Sequence, residues 1–202
     1  MIALIDYGAG NVRSVEKALR TVGASVVVTQ DPQTVLAAEK VVLPGVGAFA
    51  DCMRSLRRLD LTAPIHTIAE RGTPFLGICV GLQVLFEEGE EMGRHEGLGL
   101  LPGRVVQFDL PREYKVPHTG WNQIEPVKAT PLFHALPEGS WAYFNHGYYG
   151  DAREDDTIAV TDYAIDFACA VQRDNVYGIQ FHPEKSQQVG LHILCNFVEL
   201  VG

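Results

Sequence analysis

Residues 73–87 read Thr73-Pro74-Phe75-Leu76-Gly77-Ile78-Cys79-Val80-Gly81-Leu82-Gln83-Val84-Leu85-Phe86-Glu87. The stretch from Thr73 to Ile78 predicts a short buried strand, and the stretch from Val80 to Glu87 predicts an opening helix. Cys79 then occupies a sharp strand-to-helix turn, with Gly77 and Gly81 leaving room for the chain to bend beside it. Such a turn lifts one side chain off a sheet and aims helix-terminal N–H groups at it, which favours a thiolate over a thiol. A cysteine in an apolar strand is more commonly plain packing. Glycines on both sides are poor choices for packing, so Cys79 reads as a candidate nucleophile.

Working outward from this turn, the first half alternates strand and helix. Ile2–Ile5, Ser25–Thr29 and Lys40–Leu43 read as strands. Asn11 can cap a helix whose Val12, Val15, Ala18, Leu19 and Val22 share one face, with Gly23 closing it. Asp31-Pro32 is a cap followed by a first-turn proline. Helices are predicted near Phe49–Leu59 and Thr62–Arg71. The second half reads as strands at Gly99–Phe108, Trp121–Pro126, Trp141–Asn145, Thr157–Asp162, Phe167–Gln172 and Val176–Phe181. Arg173-Asp174-Asn175 forms a hairpin signal, and a last helix spans about Ser186–Leu200. The expected fold is one α/β domain over residues 1–202, with a central mixed, largely parallel sheet and helices on both faces.

Composition narrows the function classes. Hydrophobic residues make up 47% and charged residues 20% of the chain, which places it among globular domains. The formal net charge of −9 argues against a nucleic-acid or anionic-membrane partner, which needs a basic face. Glu87, Glu88, Glu90, Glu91 and Glu96 read as a solvated acidic loop. Cys52, Cys79, Cys169 and Cys195 make no CxxC pair, so no metal site is predicted, and a chain of this length needs no disulfide staples. Cys52, Cys169 and Cys195 read as packing residues. The start of the chain has no basic region and meets Asp6 too early for a signal peptide. No apolar run is long enough to span a membrane. A reducing, cytoplasmic setting is expected.

A nucleophilic cysteine needs a base, and the base needs an orienter. His182 follows the strand Val176–Phe181, and sites in parallel sheets gather at strand carboxyl ends. If the strands ending at Cys79 and His182 are neighbours, the two side chains meet. Glu184 then lies two residues on, placed to hold the second imidazole nitrogen. Pro44-Gly45-Val46-Gly47 is a glycine-rich turn after a strand, able to offer backbone N–H groups to an oxyanion; on this segment alone a simple tight turn fits equally well. No Gly-Lys-Ser/Thr follows, which argues against a phosphate loop. Gly8-Ala9-Gly10-Asn11 resembles part of a dinucleotide fingerprint, but no acidic residue clearly follows the second strand.

Gly77-Ile78-Cys79-Val80-Gly81-Leu82-Gln83 and Phe181-His182-Pro183-Glu184-Lys185-Ser186 resemble the two signatures of class I (triad) glutamine amidotransferases. Ile5-Asp6-Tyr7-Gly8-Ala9-Gly10-Asn11, Pro44-Gly45-Val46-Gly47-Ala48-Phe49 and Pro117-His118-Thr119-Gly120-Trp121-Asn122 are similar to segments of one subfamily, the glutaminase subunits of imidazole glycerol phosphate synthase. The resemblance runs from the first strand to the last helix.

It implies that Cys79 attacks the amide of L-glutamine, that His182 moves the protons and that Glu184 orients His182. The oxyanion is expected on the N–H of Val80 and one from Gly45, Val46 or Gly47, and that glycine turn is expected to be a switch. Gln83, Asn145, Gly147 and Tyr148 are expected near the substrate. The subfamily commonly carries serine where Gly147 stands and an apolar residue where Asn145 stands. The resemblance further implies a heterodimer with a (β/α)8 cyclase subunit, which receives the ammonia, with Asn11, Trp121 and Lys185 facing it. No cofactor is implied. Competing readings are the glutaminase of another class I amidotransferase, a non-catalytic redox-sensing protein and a cysteine peptidase.

Overall fold

The computed structural model describes residues 1–202. Its elements run β1 (Ile2–Ile5), α1 (Val12–Thr21), β2 (Val26–Thr29), α2 (Pro32–Ala37), β3 (Lys40–Gly45), α3 (Phe49–Arg58), α4 (Thr62–Glu70), β4 (Phe75–Cys79) and α5 (Val80–Gln83). Then follow β5 (Phe86–Gly89), β6 (His95–Glu96), β7 (Leu101–Gln107), β8 (His118–Gln123), β9 (Glu125–Pro126), β10 (Trp141–His146) and β11 (Tyr148–Ala152). The chain ends with β12 (Thr157–Asp162), β13 (Asp166–Arg173), β14 (Val176–Ile179) and α6 (Gln187–Glu199).

The main sheet has eight strands in the order β2-β1-β3-β4-β14-β13-β12-β9. From β2 to β14 the neighbours run parallel, and from β14 to β9 they run antiparallel. The expected mixed, largely parallel α/β architecture is therefore present. The parallel strands read as unbroken apolar runs because helices cover both faces; every residue of β1 and of β4 is buried. Asp31 caps α2 by accepting the N–H groups of Gln33 and Thr34. A lysine serves the far end of the fold: Lys40 Nζ donates to the carbonyls of Phe197, Val198 and Val201, closing the last turn of α6 against β3.

Several expectations need correction. The sheet is not the only one. A four-stranded sheet (β11-β7-β5-β6) and a two-stranded ribbon (β10-β8) stand beside it. The helix after Cys79 ends at Gln83, and Phe86–Gly89 is a strand paired parallel with β7. A short apolar run such as Val84-Leu85-Phe86 carries no period that separates helix from strand.

The acidic stretch is largely solvent-facing but only partly a loop: Glu87, Glu88 and Glu96 lie on strands of this small sheet, and Glu90 and Glu91 lie in the turn between β5 and β6. Glu87 accepts the N–H of Gly103, Glu88 pairs with Arg94 and Glu90 pairs with Arg104. Pro44 and Gly45 continue β3, because β3 and β4 stay in register up to Gly45 opposite Cys79. Asn11 occupies the cap position of α1, but its ψ of 54° departs from the extended conformation a capping side chain requires, and its side chain makes no cap bond. β11 is a further strand that the sequence pattern does not predict. No helix is long and apolar enough to cross a membrane.

Candidate active site

The elbow at Cys79 is built by contact between two backbones. Cys79 holds φ 55° and ψ −113°, a region unfavourable for any residue with a side chain, costing about 1–3 kcal/mol. A Cβ on Gly81 would sit 1.9 Å from the Leu43 carbonyl oxygen, and one on Gly77 would sit 2.5 Å from the Gly81 oxygen. Only glycine lets the turn close onto β3. Gly45 faces the same constraint, since a Cβ there would lie 2.4 Å from the Gly81 nitrogen and 2.9 Å from the buried Tyr7 hydroxyl.

β14 lies next to β4, parallel and in register, with Ile179 opposite Ile78. The strands therefore end side by side, and the chain leaving β14 carries His182 to Cys79. The His182 ring stands close enough to Cys79 for the sulfur to favour its protonation. Its Nδ1 lies 3.0 Å from Glu184 Oε1, and the side chains of both residues are almost wholly buried. Burial opposes protonation of His182, but hydrogen bonds and negative charge from Cys79 and Glu184 outweigh it and raise the imidazole to about 10. The segment is pinned: His182 N–H donates to the Tyr143 carbonyl at 2.9 Å, and the Ser186 hydroxyl donates to the His182 carbonyl at 2.6 Å.

A cavity of about 190 Å³ opens over Cys79. Of the residues singled out in the sequence, Val46, Gly47, Val80, Gln83, Asn145, Gly147, Tyr148 and Lys185 line it together with Cys79 and His182. Gly45 and Glu184 stand behind the wall. Val80 opens α5, where an N–H has no intrahelical acceptor, and the Val46 and Gly47 N–H groups donate to no acceptor in the chain. The Asn145 side chain is exposed and accepts from the Thr119 hydroxyl at 3.0 Å. A side chain on Gly147 would meet Val116 only at ordinary contact distance, 3.5 Å, so a serine fits there. The Gln83 amide nitrogen is already engaged with the Tyr148 carbonyl and Gln180, which leaves its Oε1 for the cavity.

Asn11 and Trp121 do not line the cavity. Trp121 is 43% exposed, edge-on to Tyr143 across the β8–β10 ribbon. Lys185, at the cavity mouth, lies over the Tyr143 ring.

Glu91 and His146 line the cavity too. Glu91 was hidden in the acidic stretch; its carboxylate accepts the Phe49 N–H at 2.8 Å, which ties the β5–β6 turn to the start of α3. Only tertiary folding singles it out from Glu87, Glu88 and Glu90. His146 Nδ1 donates to the Tyr148 carbonyl at 2.8 Å, so its Nε2 must accept from His118 Nδ1, 3.2 Å away. Burial holds His118 down at about 4 and His146 down at about 3.

Because both folded values lie below the usual 6.5, the unfolded chain binds more protons, and the stability this pair supplies is present above about pH 6.5 and lost as pH falls toward 4 and 3. The expected loss is about 1.4 kcal/mol per ring per pH unit across that window. Urea unfolding between pH 7 and 4 measures it, and His146→Asn is expected to reduce the slope.

The remaining thiols are poor nucleophiles. Burial pushes Cys52 up to about 11 and Cys169 up to about 12, and all four cysteines are free.

Comparison with known proteins agrees with this geometry. The model of the glutamine amidotransferase class-I family matches residues 3–200. The imidazole glycerol phosphate synthase subunit HisH of Salinibacter ruber is 53% identical over 206 residues, covering 99% of this chain and 94% of its own. The HisH subunit of Moorella thermoacetica is 52% identical over 201 residues, covering 99% and 95%. Among solved structures, one described as a glutamine amidotransferase superposes with TM-score 0.76 at 18% identity, covering 98% of this chain and 99% of that one. A PurLQS structure from Thermotoga maritima superposes with TM-score 0.73 at 21% identity, covering 98% and 96%; at such identities these two speak for the fold. The chain belongs to the class I glutamine amidotransferase family, in its HisH branch.

Proposed function

We propose that residues 1–202 act as one domain, the glutaminase subunit of an imidazole glycerol phosphate synthase. The observation that carries this reading is full-length identity near 50% to HisH subunits, in a chain whose Cys79, His182 and Glu184 converge at the end of two adjacent strands.

The Cys79 thiolate attacks the side-chain carbonyl carbon of L-glutamine. The oxyanion that forms is met by the Val80 N–H and by Val46 or Gly47 from the turn after β3. As the C–N bond breaks, the His182 imidazolium gives its proton to the leaving nitrogen, and ammonia departs from a thioester. Neutral His182 then takes a proton from water, which attacks the thioester, releasing glutamate and restoring the thiolate. Glu184 holds the ring in place throughout. The cavity is on the scale of a single amino acid rather than a peptide, which argues against a peptidase. Glu91 and Lys185 offer opposite charges to the ammonium and carboxylate of the substrate. No cofactor is needed.

Ammonia released into water is largely protonated and lost as a nucleophile, so the reading includes a heterodimer with a (β/α)8 cyclase subunit that receives it. The face formed by Trp121, Trp141 and Tyr143, with Lys185 at its edge, suits that partner, because exposed aromatics serve as anchors. The negative charge suits neither nucleic acid nor membrane, and four free thiols suit the cytoplasm.

Glutamate release from glutamine, measured alone and with the cyclase subunit, tests the proposal. Turnover is expected to rise on adding the cyclase. An equal rise with an anthranilate synthase partner, or no glutamate with any partner, overturns it.

A further inference from the structure

Gln180 sits between β14 and His182 and is completely buried. Its backbone N–H donates to the Cys169 carbonyl at 2.8 Å, which fixes the residue against β13. Its side-chain nitrogen lies 3.8 Å from Cys79 Sγ.

The direction of that amide follows from its neighbours. A backbone carbonyl only accepts, so the Tyr148 oxygen, 2.9 Å from Gln83, requires the NH2 end of the Gln83 amide. The second hydrogen of that NH2 group goes to Gln180 Oε1 at 3.2 Å. With its oxygen taken, Gln180 has only its NH2 group to offer the sulfur. The histidine chain braces the same carbonyl, since His146 Nδ1 also donates to it. Cys79 and Gln83 are each only 3% exposed, so water competes little for these bonds. An N–H aimed at sulfur in such a site stabilises the anion and does little for the thiol.

We infer that Gln180 is a catalytic residue, its carboxamide donating to Cys79 Sγ and holding the sulfur as thiolate beside His182. Gln83 and the Tyr148 carbonyl act as positioning groups that set the direction of that amide. The catalytic sense of this rests on the glutaminase reading; the contact with the thiolate does not.

Two variants test it. Gln180→Met removes the donor at similar length. Gln180→Glu keeps an acceptor for Gln83 but puts an anion beside the sulfur, and it serves if the methionine variant fails to fold. In the folded variants, iodoacetamide alkylation of Cys79 at pH 7, followed by mass spectrometry of the Cys79 peptide, is expected to slow about tenfold, equivalent to one pH unit. It is expected to recover at alkaline pH, which a mere loss of access would not do. Glutamate release is expected to fall about tenfold in kcat with little change in KM. Alkylation at the native rate in a folded variant overturns the inference, whatever glutamine turnover does. Slowed alkylation in a protein that never releases glutamate leaves the contact standing and removes the glutaminase reading instead.

Discussion

Cys79→Ala is expected to lose glutaminase activity by roughly 10⁴-fold or more while remaining folded. No other group can replace the sulfur: Cys52 and Cys169 are buried and held as thiols by their surroundings, and Cys195, in α6, does not line the cavity. Alanine removes the nucleophile and keeps a Cβ at φ 55°, so it relieves none of the elbow's strain and adds none. Losing a small, buried thiol costs little packing, so thermal unfolding is expected to shift by only a few degrees. Glutamate production with the cyclase subunit present, together with covalent labelling by a glutamine-shaped electrophile, reads out the effect. Native protein is expected to be labelled at Cys79 and the variant not at all. Residual activity above a hundredth of native would mean that the thioester route is wrong.

Glu184→Gln is expected to lower kcat by roughly 10²-fold and to change the pH profile. The imidazole of His182 is raised to about 10 because Cys79 and Glu184 together outweigh burial. Replacing the carboxylate with an amide keeps an oxygen 3.0 Å from Nδ1 but removes its charge. Burial then faces only the sulfur, and the imidazolium becomes easier to deprotonate. Since His182 must deliver a proton to the leaving nitrogen, the alkaline fall in kcat is expected to begin at lower pH in the variant than in the native enzyme. Steady-state glutamate release from pH 6 to 10 checks both the size and the direction. An unchanged alkaline limb would show that Glu184 positions the ring without setting its charge.

Much of this site could be read from the chain because its chemistry is local. Glycines around Cys79, a proline and a glutamate after His182, and strands ending at both points are visible within a few residues of each other. The fold class was equally legible in the repeated strand–helix alternation of the first half. The misreadings cluster where local signals are ambiguous. Val84-Leu85-Phe86 fits helix and strand alike, and the glutamates around it resemble a solvated loop until Gly103 and Phe49 N–H groups find them. Asn11 has the right identity for a cap but the wrong backbone conformation. Glu91 could not be singled out, because nothing in its immediate neighbours marks it.

From its sequence alone this protein declares a cysteine elbow, a histidine–glutamate pair and a largely parallel α/β core, since turn stereochemistry and apolar periodicity act over a few residues. Tertiary structure alone decides that β4 and β14 lie side by side, that Gln180 turns its NH2 group toward the sulfur, and that Trp121 stays outside. Those outcomes depend on hydrogen bonds and burial between segments far apart in the chain, where each group's partner exists only once the sheet has closed.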